Sequence, residues 1–147
     1  DLESIHDRVA AKVQQQVLQD QRWKEREVKV LDGTGITLAD TPQNQEEFPQ
    51  PSSQRKGCGF PVMKVVACFC LASGTLLKWV ETELKRHECR ILKEFTDFFK
   101  PGDVALTDRG FSSYGNLAFL FKQGVDSVMR VHQMRKLDYR TGKPLAG

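Results

Sequence analysis

Hydrophobic and polar positions alternate with changing period along the chain, and the changes divide it into elements. In residues 1–22, Ile5, Val9, Val13 and Val17 recur every fourth position among polar residues. That spacing predicts a helix with one apolar stripe, closed by Trp23. Glu27 to Leu31 reads as a short strand, ended by Asp32-Gly33-Thr34-Gly35, with Ile36 to Leu38 a second short strand. Residues 40–59 lose all periodicity and contain Pro42, Pro49, Pro51, Gly57 and Gly59, which predicts a long surface loop. Phe60 to Ala72 is rich in Val, Phe and Cys. Ser73-Gly74 is a turn, and Leu76 to Leu84 returns, so the two runs form a hairpin. Ile91, Leu92, Phe95, Phe98 and Phe99 predict a helix over 88–99, stopped by Lys100-Pro101-Gly102. Asp103 to Thr107 is a buried strand ended by Asp108-Arg109-Gly110. Ser113 caps a helix that runs through Leu117, Leu120 and Phe121 to Gly124, and Asp126 to Val131 is a last strand.

A hairpin followed by strands that are reached through helical crossovers predicts a mixed α/β sheet covered by helices on both faces, an RNase H-like arrangement. The 147 residues suffice for one ordinary domain. Residues 1–25 form an N-terminal helical piece and 26–147 the domain. The longest apolar run, Val65 to Ala72, is far shorter than the roughly 20 residues of a membrane-spanning helix, so no membrane partner is expected. The N-terminus lacks a secretory pattern and an initiator Met, so the sequence reads as a piece of something longer.

The formal net charge is +3, unevenly spread. Residues 1–60 hold 8 bases and 10 acids, whereas residues 61–147 hold 14 and 9. From Arg130 onward the bases Arg130, Arg135, Lys136, Arg140 and Lys143 face one acid, Asp138. This suits a polyanionic partner, and equally a solvated loop. The four cysteines, Cys58, Cys68, Cys70 and Cys89, form no C-x-x-C pair, which argues against a zinc site. Cys68 and Cys70 share one strand face, a poor geometry for a disulfide, and read as reduced core residues.

Asp32 and Asp108 carry the chemistry. Each follows an apolar strand and precedes a glycine or an Arg-Gly pair. If their strands are parallel neighbours, both carboxylates emerge at the carboxyl end of the sheet, where open α/β sheets place ligands. Two close carboxylates repel unless a divalent cation neutralises them. Mg²⁺ commonly takes one or two carboxylates plus substrate phosphate. Two such ions roughly 3.5–4 Å apart serve phosphodiester chemistry. An Asp-Gly after a strand is also an ordinary turn.

The wording around the acids resembles a known family. Val30-Leu31-Asp32-Gly33-Thr34, then Leu38-Ala39-Asp40-Thr41-Pro42-Gln43-Asn44 and Phe48-Pro49-Gln50, resembles the first catalytic block of bacterial insertion-sequence DDE transposases, closest to the IS-four type. Gly57-Cys58-Gly59-Phe60-Pro61 is similar to its continuation, and Ala105 to Phe111 to the second block. The resemblance covers residues 23–147. It implies an RNase H-like core whose Asp-Asp-Glu triad binds Mg²⁺ or Mn²⁺, with Asp32 the first acid and Asp108 the second. It implies DNA as partner (terminal repeats and target), a pairing of protomers in a synaptic complex, and a bacterial cytoplasmic, nucleoid-associated location. The third acid, a Glu in a Tyr-Arg-Glu-Lys block, has no counterpart, since no Glu follows Glu94. The expectation is therefore a truncated core without the third-acid helix, inactive alone, with residues 132–147 leading into an absent insertion.

Four basic residues are expected at the DNA. Arg109 could clamp a phosphate or pair with an acid. Arg130 lies near the end of the last strand, where related transposases place a DNA-contacting base. Arg135 and Lys136 are phosphate contacts or a solvated turn. Gln43, Asn44 and Gln54 could touch nucleic acid from the long loop. Trp79 reads as core, and His87 and His132 as surface. The alternative function is an inactive transposase remnant that only binds DNA. A weaker alternative is an unrelated nuclease on the same core.

Overall fold

The computed structural model describes residues 1–131, 133 and 134, with the backbone alone at Glu88 and Cys89. Arg135, Lys136, His132 and the stretch expected to lead into an insertion lie outside the described residues, apart from positions 133 and 134.

The chain runs α1 (Leu2–Gln16), β1 (Val28–Thr37), α2 (Pro42–Glu47), β2 (Val62–Cys70), β3 (Leu76–Glu83), α3 (Glu88–Ile91), β4 (Val104–Thr107), α4 (Tyr114–Lys122) and β5 (Asp126–Met129), with short 3-10 segments at Gln19–Gln21, Leu92–Phe98 and Arg109–Phe111. The five strands form one sheet in the order β3-β2-β1-β4-β5. β1 pairs antiparallel with β2, and β2 with β3, while β1–β4 and β4–β5 are parallel. This is the expected mixed α/β, RNase H-like sheet.

Strand alternation divides the sheet into two faces. Leu31, Cys68, Val66 and Ala105 line one of them by register. Against this face pack Ile91, Leu92, Phe95, Phe111 and Leu120, all fully buried. The apolar spacing in 88–99 thus buries as predicted. The segment tightens after one turn of α3 into a 3-10 run instead of continuing as a single α-helix.

At the amino ends of the parallel strands, a polar staple sits in the core. Lys29 and Asp103 form an ion pair of 2.7 Å with only 3% and 8% of their side chains exposed. Lys29 Nζ also donates to the Phe98 carbonyl at 2.8 Å, and Asp103 Oδ2 accepts from the Lys100 amide at 2.8 Å. Beside it, Arg26 donates to the carbonyls of Gly102 (2.6 Å) and Asp103 (3.0 Å) and pairs with Asp126 at 2.6 Å. These bonds tie the starts of β1, β4 and β5 together.

Three local expectations change. The helix buries Ala10, with His6 half-buried, whereas Ile5 and Val9 are more than half exposed. The helix docks by polar contacts: His6 Nε2 lies 2.9 Å from the Leu76 carbonyl, its ring meets Trp79 edge-on, and Gln14 donates to Ser73. Secondly, β1 does not stop at Asp32. It continues through Gly33 and Gly35, because β2 supplies an unbroken ladder, Gly33 opposite Val66 and Gly35 opposite Lys64. Thirdly, the loop over residues 40–59 includes a short helix, α2. Thr41 caps α2 by accepting from the Asn44 amide, with Pro42 in the first turn.

Candidate active site

The parallel pairing of β1 with β4 runs Val28–Val104 to Leu31–Thr107 and ends there. Asp32 and Asp108 are the next residues on each strand. Val30 and Leu106 are register partners, so they share a face. Asp32 lies two residues after Val30 in the continuing strand. Asp108 lies two after Leu106 with a backbone that is still extended (φ −78°, ψ −176°). Alternation therefore puts both acids on one face, on strands spaced about 4.8 Å apart. Both are exposed to solvent.

Each carboxylate is held by its own turn. Asp32 Oδ1 accepts from the Gly33 amide at 2.9 Å. Asp108 Oδ1 accepts from the Gly110 amide at 2.8 Å and so caps the 3-10 turn Arg109–Phe111. Phe111, fully buried, plugs that turn into the core. The second oxygen of each acid has no hydrogen bond or ion pair among the described residues, leaving it for a ligand.

Arg130 joins this pair by register. Thr107 pairs with Met129, so Arg130 follows β5 as Asp108 follows β4. Across three adjacent parallel strands the residues past the last pairs are Asp32, Asp108 and Arg130. Arg130 and Arg109 are both exposed. Of the two expectations for Arg109, an ion pair is not formed among the described residues. Its carbonyl accepts from Ser112 Oγ at 2.9 Å, which fixes the turn.

Gln43 and Gln54 are exposed in the long loop, whereas Asn44 is held back. The Asn44 side chain donates to the Ala39 carbonyl at 2.9 Å. Trp79 is half-buried beneath His6, and the Cys58, Cys68 and Cys70 thiols are free. Burial pushes the Cys68 thiol up to about 12, against the opposing pull of Lys29. At Cys70 burial acts upward too, but hydrogen bonds from Ser73 and Gln14 outweigh it and hold the thiol below its ordinary value.

The donor set around the acids is oxygen only and small. Among the described residues no group of three or more His, Cys, Asp or Glu stands together as a metal cage. Two carboxylates, each with a free oxygen, suit Mg²⁺ or Mn²⁺, which completes its shell with water and phosphate oxygens. Among the described residues no helix is long and apolar enough to cross a membrane.

The strand order is that of an RNase H-like sheet, and comparison of sequences gives the family. The profile of the Transposase DDE domain family matches residues 23–146, and the chain belongs to that family. No curated protein matches the sequence. Among solved structures, the chain is similar, at TM-score 0.47 and 10% identity, to one in a cryo-EM structure of the simian T-cell lymphotropic virus intasome in complex with PP2A regulatory subunit B56 gamma. The likeness covers 75% of this chain and 36% of that one.

Proposed function

We propose that this chain supplies two carboxylates, Asp32 and Asp108, to the divalent-metal site of a DNA transposase of the bacterial insertion-sequence, IS-four type, which cleaves DNA and transfers the strand. The observation that carries this reading is the Leu31–Thr107 pair: it ends the parallel ladder and leaves the two acids side by side on one face. Membership of the Transposase DDE domain family supports it.

In this reading Asp32 and Asp108 would hold Mg²⁺ or Mn²⁺. When bound, such an ion lowers the pKa of water and neutralises charge on a phosphodiester. The chain's own part is placement. The Gly33 and Gly110 amides fix the carboxylates, and Arg109 and Arg130 orient the DNA phosphates by bidentate contacts. Water attacks one phosphodiester, and the freed 3′-hydroxyl attacks another. The DNA is a terminal repeat and then a target, held by paired protomers in the bacterial cytoplasm. The third acid of the triad is not found in the sequence after Glu94.

The test is cleavage of terminal-repeat DNA with Mg²⁺ or Mn²⁺ by the chain joined to its downstream coding sequence. Asp32→Ala and Asp108→Ala should each abolish cutting. Normal cutting by either variant overturns the assignment. Salt-dependent DNA binding without cutting by any protein, wild type included, supports the binding-only remnant instead.

A further inference from the structure

The loop between α2 and β2 leaves the sheet at the same end as the two acids. β1 runs from Asp32 to Thr37, roughly 17 Å at strand rise, before the loop begins. The ends of β3, β4 and β5 also open at this end.

Residues 50–59 form a closed, internally bonded unit, built on Gln50. Its side-chain oxygen accepts from the amides of Gly57 (2.9 Å) and Gly59 (3.3 Å). Its side-chain nitrogen donates to the carbonyls of Gln54 (3.3 Å) and Arg55 (2.9 Å). Gly57 adopts a left-handed φ of +77°, and a Cβ at Gly59 would fall 1.9 Å from Gln54 Oε1. The unit rests on the end of β3 across a cleft of about 210 Å³, with Pro51, Ser52 and Ser53 on one side and Glu83, Leu84 and Lys85 on the other.

This frame presents Arg55 and Lys56, consecutive and exposed, with Lys85 exposed at the cleft. None of the three has an ion pair among the described residues. From Phe48 to Val80 the sequence holds four bases and no acid. Exposed cations on a hydrogen-bonded frame can meet an anion with little loss of backbone entropy.

We infer that Arg55 and Lys56 form an accessory phosphate clamp, which grips the backbone of duplex DNA at the acid-pair end of the sheet without reading its sequence. The inference rests on the proposed DNA reading for its partner. Both cations contact phosphates, so they add affinity and salt dependence but no base preference.

The test is binding of a short random-sequence duplex by the whole chain, followed by fluorescence anisotropy across a salt series in EDTA. EDTA keeps divalent metal from contributing to the binding. Arg55→Glu with Lys56→Glu should weaken binding roughly tenfold and flatten the log–log salt slope by about two. Arg55→Lys with Lys56→Arg should retain both. Arg8→Glu with Lys12→Glu, on α1 where it docks at the other end of β3, should leave the slope unchanged. A wild-type slope in the Arg55/Lys56 reversal, or an equal loss in the α1 reversal, overturns the clamp. Wild-type chain that does not bind DNA overturns both the clamp and the DNA reading. Loop-dependent binding together with a failed cleavage assay removes only the catalytic assignment. Matching circular-dichroism melts establish that the variants are folded.

Discussion

Lys29 and Asp103 form a buried ion pair at the amino end of the same parallel ladder past whose last pair stand Asp32 and Asp108. The pair fixes β1 against β4 at one end, and the acids inherit that register at the other. One strand pair thus carries a neutralised charge couple inside and an unneutralised one outside.

Breaking the inner couple should cost far more than its net worth. Lys29→Met leaves Asp103 buried without its cation, a loss of about 3–5 kcal/mol. Adding Asp103→Leu to Lys29→Met should recover much of it. Urea denaturation of the two variants measures the difference, and equal stabilities would show that the pair is not what secures the strands.

The acids themselves should separate charge from structure. Asp32→Asn and Asp108→Asn remove a charge but keep an accepting oxygen for the Gly33 and Gly110 amides. Both should fold with stability within about 0.5 kcal/mol of wild type while Mn²⁺ affinity, by calorimetry, falls roughly tenfold or more. Asp108→Ala also removes the cap and should cost about 1 kcal/mol.

Alkaline pH should expose the Cys68 thiol as a stability group. Its pKa rises from an ordinary 9.0 to about 12 in the folded chain. The folded state therefore keeps a proton that the unfolded chain releases. Its contribution is complete below pH 9 and fades as pH climbs toward 12, at up to about 1.4 kcal/mol per pH unit. Cys68→Ala should flatten this part of the stability profile, measured by denaturant midpoints across that range. An unchanged profile would remove Cys68 as the cause.

The Gln50 hub should be visible in hydrogen exchange. Gln50→Ala removes the acceptor for the Gly57 and Gly59 amides. Those two amides should lose protection, while the β1–β2 ladder amides keep theirs. Protection that survives the substitution would assign the order of the loop to other contacts.

Much of this architecture was legible in the sequence because burial and period agreed. The hairpin, the strand Val104–Thr107, the Ser113 cap and the core aromatic Phe95 fall where their patterns point. The acids were legible as turn residues after apolar runs, although their adjacency depends on a parallel register that no local signal encodes. β1 misled because Gly33 and Gly35 read as breakers, yet the long antiparallel ladder with β2 carries the strand through them despite glycine's weak preference for strands. Ile5 and Val9 misled because spacing marks a stripe without saying which side faces the body. The buried Lys29 was hidden for a different reason. A lysine between valines reads as a solvated strand position until a carboxylate from 74 residues away is found to meet it. The Gln50 hub had only a glutamine and two glycines to announce it.

β1 and β2 stay paired as far as Thr37 and Val62, whereas the β1–β4 ladder stops at Leu31 and Thr107. The sheet is therefore stepped: three antiparallel strands stand up like a parapet, and the shorter parallel strands form the ledge at its foot. Under the proposed DNA reading, a duplex set on the ledge would lie with its flank along the parapet. Unequal strand lengths would then orient it before any side chain touches it.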